Sequence, residues 1–210
     1  LCITRPRRFG KTVMANMVAS YFGKAIDSSF VFEHLAIAKS PVYEEYINKY
    51  DIIYIDFSRL PENCQTYEEY INRIKTGIKE DLLEEFSELE LKEEMSLWDI
   101  LAKIFQKTNR KFMFIMDEWD AVFHMPFISQ KERQEYLLFL KNLLKDQVYV
   151  ELAYMTGILP IAKYSAASEL NMFVEYNMAT RERFSSYFGF SEEEVDKLFQ
   201  IYSETTIRPR

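Results

Sequence analysis

Short apolar runs alternate with amphipathic segments along this chain. Phe112–Met116 is apolar at all five positions, which is typical of a strand buried on both faces of a sheet. Leu1–Thr4 resembles the end of a strand, and Asn171–Asn177 is the weakest candidate. The runs that predict β-strands are Leu1–Thr4, Asp51–Phe57, Phe112–Met116, Val148–Thr156 and Asn171–Asn177.

Helical periodicity fills the stretches between these runs. Lys11–Phe22 predicts a helix that ends near Gly23, and Leu97–Thr108 predicts another that Ser96 caps. After Thr66, apolar side chains recur on one helical face, namely Tyr67, Tyr70, Ile71, Ile74, Ile78 and Leu82. Further helices are predicted from Ser129 to about Lys145, over Thr180–Tyr187 and over Ser191–Ser203.

Capping motifs mark where several of these helices start. A Ser or Thr followed three residues later by Glu satisfies free N–H groups at a helix start. Such capping boxes occur at Thr66-x-x-Glu69, Ser129-x-x-Glu132 and Ser191-x-x-Glu194. Ser40-Pro41 also predicts a helix start, with Ser as N-cap and Pro at the first helical position.

Strands that alternate with helices predict an α/β fold with a mostly parallel sheet and right-handed crossovers. In such sheets, ligands bind at the carboxyl ends of the strands. Residues that directly follow each apolar run are therefore the first candidates for function.

Composition limits the classes of function. The 210 residues are 48% hydrophobic, enough for one domain with an appendage. The net charge of -7 argues against a surface that binds nucleic acid broadly. A local basic patch is nevertheless present, formed by Arg5, Arg7, Arg8 and Lys11.

Cysteine content and hydropathy favour a cytoplasmic location. Cys2 and Cys64 are too few for a disulfide framework, so we expect reduced thiols with structural or incidental roles. No apolar run is long enough to span a bilayer, and no membrane contact is predicted. The sequence begins without Met and inside the first predicted strand, so we expect a fragment in which that strand is truncated.

The segment Arg5–Thr12 resembles a phosphate-binding loop, G-x-x-x-x-G-K-[ST], with Arg5 at the position of the first glycine. Strand, loop and helix follow in the order that the motif requires. Gly10 would let the backbone approach a phosphate, Lys11 would bind the β- and γ-phosphates, and Thr12 would bind Mg²⁺. The alternative is an ordinary basic helix start. Pro6 pushes Arg5 toward extended geometry, which is compatible with the loop.

Asp117 and Glu118 follow the buried strand directly, as in a Walker B motif. Asp117 would hold Mg²⁺, and Glu118 would act as the general base that activates water. The alternative is a strand that ends in two surface carboxylates. Because the loop and this pair predict the same metal–phosphate centre independently, the functional interpretation is favoured.

Other polar residues have open interpretations. Asp120 could support the waters of Mg²⁺ or be a loop carboxylate, and His34 and His124 have no ligand partners nearby in sequence. Thr156 ends a strand and is a candidate sensor of the γ-phosphate, or it caps the strand. Arg181 and Arg183 could contact phosphate within the chain or across subunits, or be solvated.

Four segments resemble the AAA-ATPase-like family of prokaryotic proteins: RPRRFGKT, FIMDEWDA, YMTGILPIAKY and YFGFSEEEV. The resemblance implies a P-loop NTPase of the additional-strand class, similar to archaeal and signal-transducing STAND ATPases. It implies a three-layer α/β/α fold with sheet order 5-1-4-3-2. Residues 1–178 would form the core and 179–210 the start of an incomplete helical lid.

The resemblance implies that Gly10, Lys11 and Thr12 bind the triphosphate and Mg²⁺ and that Asp117 and Glu118 form the Walker B pair. The predicted site combines this with the interpretations of the residues given above. Nucleotide would bind to Arg5, Pro6, Arg7, Arg8, Phe9, Gly10, Lys11, Thr12 and Val13. Thr12 and Asp117 would hold the metal, and Glu118, Lys11 and Thr156 would be catalytic. Family members often carry a PD-(D/E)XK-like nuclease domain, which we do not find here. Nucleic acid would therefore be an indirect target only.

The leading hypothesis is an Mg²⁺-dependent ATPase that drives or switches an attached or partner effector domain. A second is a nucleotide-binding switch or scaffold with negligible hydrolysis in isolation, because many signalling ATPases need an arginine from a partner. The resemblance to ATPases favours ATP over GTP. Small-molecule kinase activity is a weaker alternative, because P-loop kinases usually carry an arginine-rich lid over the phosphates and this sequence shows no clear one. The sequence leaves oligomerisation open.

Overall fold

The computed structural model describes residues 1–163, 170–177, 184 and 187–206. The strands are β1 (Cys2–Thr4), β2 (Asp51–Asp56), β3 (Phe112–Asp117), β4 (Val150–Gly157) and β5 (Glu175–Tyr176). They form one sheet in the order β2-β3-β4-β1-β5, and every pairing is parallel. This is the predicted order 5-1-4-3-2 viewed from the other edge, so the predicted fold class is confirmed.

Helices lie between the strands. They are α1 (Lys11–Phe22), α2 (Ser29–Phe32), α3 (Tyr43–Tyr46), α4 (Tyr67–Glu85), α5 (Leu97–Thr108), α6 (Gln130–Leu144) and α7 (Glu192–Thr206). Short 3-10 helices cover Ala36–Lys39, Ser87–Leu89, Ala121–His124 and Ile161–Lys163.

Helices cover the two faces of the sheet. On one face, Ala15 of α1 belongs to a buried cluster with Ile3, Ile115 and Tyr154 of three strands. On the other face, buried residues of α4, α5 and α6 join a larger cluster that includes Phe112. Because side chains alternate along a strand, β3 supplies both clusters, and all six of its residues are buried. The result is a three-layer α/β/α arrangement.

The predicted capping boxes form. Thr66 and Glu69 cap α4, Ser129 and Glu132 cap α6, and Ser96 accepts the N–H of Asp99 at the start of α5. At the start of α7, the N–H of Ser191 donates to Glu194 at 2.8 Å, and the N–H of Glu194 donates to Ser191 Oγ at 3.2 Å. These four helices therefore begin where the sequence predicts.

The predicted helix start at Ser40-Pro41 is wrong. The one-turn helix α3 begins at Tyr43 with Val42 at its N-cap, and Ser40 instead ends the preceding 3-10 helix. Tyr43 packs in a buried cluster with Tyr21, Phe32 and Ile47. This packing fixes where the helical turn begins.

Two strand boundaries also differ from prediction. β4 begins at Val150 rather than Val148, because residues 147–150 form a turn closed by the Val150 N–H and the Gln147 carbonyl at 3.2 Å. β5 covers only Glu175–Tyr176, since the chain turns before it, with Phe173 N–H bonded to the Leu170 carbonyl at 3.1 Å. The predicted helix Thr180–Tyr187 lies outside the described residues apart from Phe184 and Tyr187.

Among the described residues, no helix combines the length and apolar character needed to cross a membrane. Both cysteines are free, with Cys2 buried in β1 and Cys64 partly buried. The predicted division into a core (1–178) and the start of a lid (179–210) stays a prediction.

Candidate functional site

Three chain segments meet at the carboxyl edge of the sheet. β4 lies between β1 and β3, and its last residues are level with the end of β1, as the pairs Ile3–Thr156 and Thr4–Gly157 show. On its other side, Met155 pairs with Met116 of β3. The loop after β1, the carboxylates after β3 and the end of β4 are therefore neighbours.

The loop after β1 has the backbone geometry of an anion site. Gly10, at the N-cap of α1, has a φ of 77°, in the left-handed region that favours glycine. The first bond within the helix joins Met14 N–H to the Gly10 carbonyl at 2.9 Å. The N–H groups of Lys11, Thr12 and Val13 precede that bond, and α1 has no acidic residue in its first turn. These groups and the helix dipole favour an anion here.

Lys11 lies within the loop, only 5% exposed. Its Nζ donates to the carbonyl oxygens of Arg5 and Pro6, both at 3.1 Å. Burial lowers the pKa of Lys11, while the charges of Glu118, Asp120 and Asp117 act in the opposite direction. The structure therefore brings the loop lysine close to the acidic residues that follow β3.

Arg5 is buried, and its backbone and its side chain both form hydrogen bonds within the protein. Its N–H donates to the Gly157 carbonyl at 3.0 Å. Its guanidinium donates to the carbonyls of Thr4 at 2.6 Å and Tyr176 at 2.9 Å, and it lies over the ring of Phe188, 5.2 Å from the centroid. The side chain thus links the start of the loop to β5 and to Phe188.

The other loop side chains are more accessible. Pro6, Arg7, Arg8, Thr12 and Val13 are exposed, and Phe9 is partly buried. Arg8 also has a left-handed backbone, with a φ of 69°. The exposed Thr12 leaves its hydroxyl accessible to a ligand.

Asp117 and Glu118 end β3 in different environments. Asp117 is 2% exposed, and its carboxylate accepts the hydroxyl of Thr156 and the N–H of Glu118 at 3.1 Å. The same N–H lies 3.3 Å from Thr156 Oγ1. Glu118 is partly exposed and adopts a φ of 50°, uncommon for a residue other than glycine. Thr156 therefore touches both predicted acidic residues.

Asp120 is a buried loop carboxylate. It accepts the N–H of Ile158, 3.1 Å from each carboxylate oxygen, and the N–H of Leu159 at 2.9 Å. It fixes the turn that follows β4 relative to the turn that follows β3.

Two tyrosines that sequence reasoning did not select lie near Asp117. Burial, followed by the charge of Asp117, raises the pKa of Tyr54 to about 12. Tyr154 is 4% exposed, and its hydroxyl makes no hydrogen bond among the described residues. Both lie on the α1 face of the sheet, as Asp117 and Thr156 do. Side chains two residues apart on a strand share a face of the sheet, and this alternation is the signal in the sequence that could have found the two tyrosines.

The remaining candidates lie elsewhere. His34 is an exposed residue beside Glu33, and His124 is exposed at the end of a 3-10 helix. Arg181 and Arg183 lie outside the described residues. In the part of the chain that the structure describes, no three His, Cys, Asp or Glu side chains form a metal-ligating group.

Comparison with protein families identifies residues 1–167 as a match to the AAA-ATPase-like family, described as predicted AAA-ATPase. The matched segment contains the loop, both acidic residues and Thr156. Searches of curated proteins and of solved structures found no match. Since the family model covers most of the chain, the chain belongs to this family.

Proposed function

We propose that this member of the AAA-ATPase-like family binds ATP with Mg²⁺ at the carboxyl edge of its sheet and hydrolyses it. The observation that carries the proposal is a series of contacts that connects Lys11 to the acidic residues. Lys11 Nζ binds the Arg5 carbonyl, and the Arg5 N–H binds the carbonyl of Gly157. The preceding residue, Thr156, binds Asp117 beside Glu118. These residues come from segments about a hundred positions apart in the sequence. A cationic anion-binding loop opposite two carboxylates is the arrangement that metal–triphosphate chemistry needs.

Phosphate binding would use groups that the loop presents. The N–H groups of Lys11, Thr12 and Val13 precede the first helical bond and favour phosphate oxygens. Lys11 would exchange its bonds with the carbonyls of Arg5 and Pro6 for bonds with phosphate. Because a phosphate dianion is the stronger acceptor, this exchange would also oppose the effect of burial on the pKa of Lys11.

The oxygen ligands fit Mg²⁺. This ion binds through one or two protein oxygens together with phosphates and water, so a site with few protein ligands suits it. Thr12 would contribute its exposed hydroxyl and Asp117 its carboxylate. When bound, Mg²⁺ would neutralise charge on the phosphate oxygens.

Glu118 would accept the proton of the attacking water. Its carboxylate is partly exposed, unlike that of Asp117, and its left-handed backbone is a strained feature of the kind that clusters at active sites. Thr156 Oγ1 lies between Asp117 and the Glu118 N–H, so it would hold their relative positions and sense phosphate through them. ATP binding and hydrolysis would drive or switch an effector domain. The support for this part of the proposal is the family resemblance.

The test is a titration of the purified chain with a fluorescent ATP analogue, with and without Mg²⁺. We expect saturable binding that Lys11→Ala abolishes, because the variant loses the buried ammonium. Lys49→Ala is the matched control, since this exposed lysine lies away from the loop. Equal binding by Lys11→Ala and the parent would overturn the proposed site. Single-turnover hydrolysis then separates an ATPase from a switch that only binds.

A further inference from the structure

We propose that Arg5, at the position where phosphate loops have their first glycine, is a positioning residue that connects the loop to Phe188, beside the contact of Phe9 with Gly189. Through this connection, nucleotide binding would reduce the motion of helix α7. The inference rests on the proposed function, because it concerns how the same loop is held and what responds to its occupation.

Arg5 connects the start of the loop to two neighbouring strands and to the loop lysine. Its N–H binds the end of β4, and its guanidinium binds the carbonyl of Tyr176 in β5. Its own carbonyl accepts Lys11 Nζ. A glycine could supply the two backbone contacts but not the guanidinium contacts. The side chain therefore adds a connection from the lysine-holding backbone to the segment beyond β5.

Phe188 is the far end of that connection. It is 8% exposed, lies under the Arg5 guanidinium and belongs to the buried cluster on the α1 face of the sheet. A planar guanidinium stacks on an aromatic ring in a way that an ammonium does not reproduce. The contact thus depends on both the arginine and the ring.

Gly189 makes a second contact with the loop. It has a φ of 83°, and a Cβ at this position would lie 2.9 Å from the Phe9 ring. Phe9 stands between Arg8 and Gly10, which both have left-handed backbones. Because a left-handed arginine is unfavourable by itself, packing of Phe9 on Gly189 helps to hold the loop in this shape.

Helix α7 follows directly. Its N-cap, Ser191, is two residues beyond Gly189, and its exposed side chains include Val195, Leu198 and Phe199. If Phe188 and Gly189 hold the loop ready for phosphate, linkage requires that phosphate in turn holds these two residues. Occupation of the loop would then reduce the motion of α7.

The experiment compares the parent with Phe188→Leu, Arg5→Lys and the double variant. Phe190→Leu is the matched control, since Phe190 is 72% exposed. Affinity for the ATP analogue with Mg²⁺ is measured together with amide hydrogen exchange in 192–206, after circular dichroism has verified folding. Phe188→Leu keeps an apolar side chain in the cluster and tests the inference even if Arg5→Lys fails to fold.

We expect nucleotide to slow exchange in α7 of the parent and of Phe190→Leu. In Phe188→Leu and Arg5→Lys, we expect about fivefold weaker binding and no slowing of exchange. The double variant should bind no more weakly than the weaker single variant, because both changes break one connection.

Three results would overturn the inference. If the parent binds nucleotide without a change of exchange in α7, or if Phe188→Leu responds as the parent does, the coupling fails while the proposed function stands. If neither the parent nor Phe190→Leu binds nucleotide, the inferred coupling and the proposed function are both overturned.

Discussion

At the scale of single residues, two positions of the candidate site share a left-handed backbone but differ in how much strain it causes. Gly10 adopts its left-handed conformation without a steric penalty, because it lacks a Cβ. Glu118 adopts a similar φ with a full side chain, which is unfavourable by on the order of 1 kcal/mol. The N–H of Glu118 is held by Asp117 and Thr156, so neighbouring contacts offset the strain. Glu118 therefore combines a strained backbone with a carboxylate beside the loop lysine, which makes it a candidate catalytic residue.

Replacement of Glu118 by Gln should separate binding from turnover. The amide keeps the size of the side chain but cannot accept a proton from water. We expect unchanged affinity for the ATP analogue and a turnover lowered by about 10²–10⁴-fold, measured as phosphate release.

Glu84→Gln is the control for Glu118→Gln, because Glu84 is exposed at the end of α4, beside Glu85, which pairs with Arg110 ahead of the start of β3. Hydrolysis by Glu118→Gln at the parental rate would show that another group activates water.

Close packing makes Gly157 sensitive to substitution. A Cβ at this position would lie 2.5 Å from Cδ1 and Nε1 of Trp119, which is fully buried and packs against Phe123. We expect Gly157→Ala to lower the free energy of unfolding by about 1–3 kcal/mol, measured by denaturant titration.

The matched substitution is Gly77→Ala in the middle of α4. There a Cβ would meet no atom within 4 Å. Because alanine has the higher helix propensity, we expect stabilisation by about 0.5–1 kcal/mol. A loss of stability in Gly77→Ala equal to that in Gly157→Ala would contradict the packing argument.

At the scale of elements, local hydrogen bonds set the starts of α4, α5, α6 and α7, and packing sets the start of α3. Thr66 and Ser129 form capping boxes in which side chain and backbone bond reciprocally. At Ser40, the hydroxyl lies 3.5 Å from the Val42 N–H, at the limit of a hydrogen bond, while Tyr43 packs against Tyr21. A weak cap therefore yields to burial of an aromatic side chain.

Removal of the Thr66 cap should destabilise α4. Thr66 is exposed, so Thr66→Ala deletes a hydrogen bond to the Glu69 N–H with little loss of packing. We expect the free energy of unfolding to fall by about 0.5–2 kcal/mol, measured by denaturant titration.

The control for the cap is Thr76→Ala, an exposed threonine inside the same helix. Because alanine favours helix, this variant should be as stable as the parent or slightly more stable. Equal losses in the two variants would point away from capping.

At the scale of the whole molecule, the sheet assembles the site from three distant segments. Arg5 N–H bonds to the Gly157 carbonyl, and Asp120 holds the N–H groups of Ile158 and Leu159. A ligand that contacts these segments together should bind only the folded chain, and its binding free energy should add to stability.

ATP with Mg²⁺ should therefore raise the melting temperature. At a free concentration about 100 times Kd, the stabilisation is about 2.7 kcal/mol, which corresponds to a shift of ~5–10 °C for a chain of this size. Chelation of Mg²⁺ should reduce the shift, because Thr12 and Asp117 would lose the metal that joins them to the phosphates. Differential scanning fluorimetry measures both effects.

The Lys11→Ala variant provides the control for the melting experiment. It should melt at the same temperature with and without ATP and Mg²⁺. An equal rise in this variant would mean that nucleotide binds elsewhere on the folded chain.

The features that depend on neighbouring residues are predictable from the amino-acid sequence. Helix caps such as those of Thr66 and Ser129 are local, because their bonds join residues three apart. The buried character of β3 follows from five consecutive apolar residues. The positions of Gly10-Lys11-Thr12 at a helix start and of Asp117-Glu118 at a strand end follow from the same periodicity, while the sheet order came from the family resemblance.

The contacts between distant segments follow from the folded arrangement of the sheet. Arg5 is a buried link to Tyr176 and Phe188, Thr156 bonds to Asp117, and Asp120 holds the turn after β4. No local pattern specifies these partners, which lie 38 or more residues away. They meet because parallel strands with long crossovers bring their carboxyl ends to one edge, and the packed sheet selects which side chains face each other there.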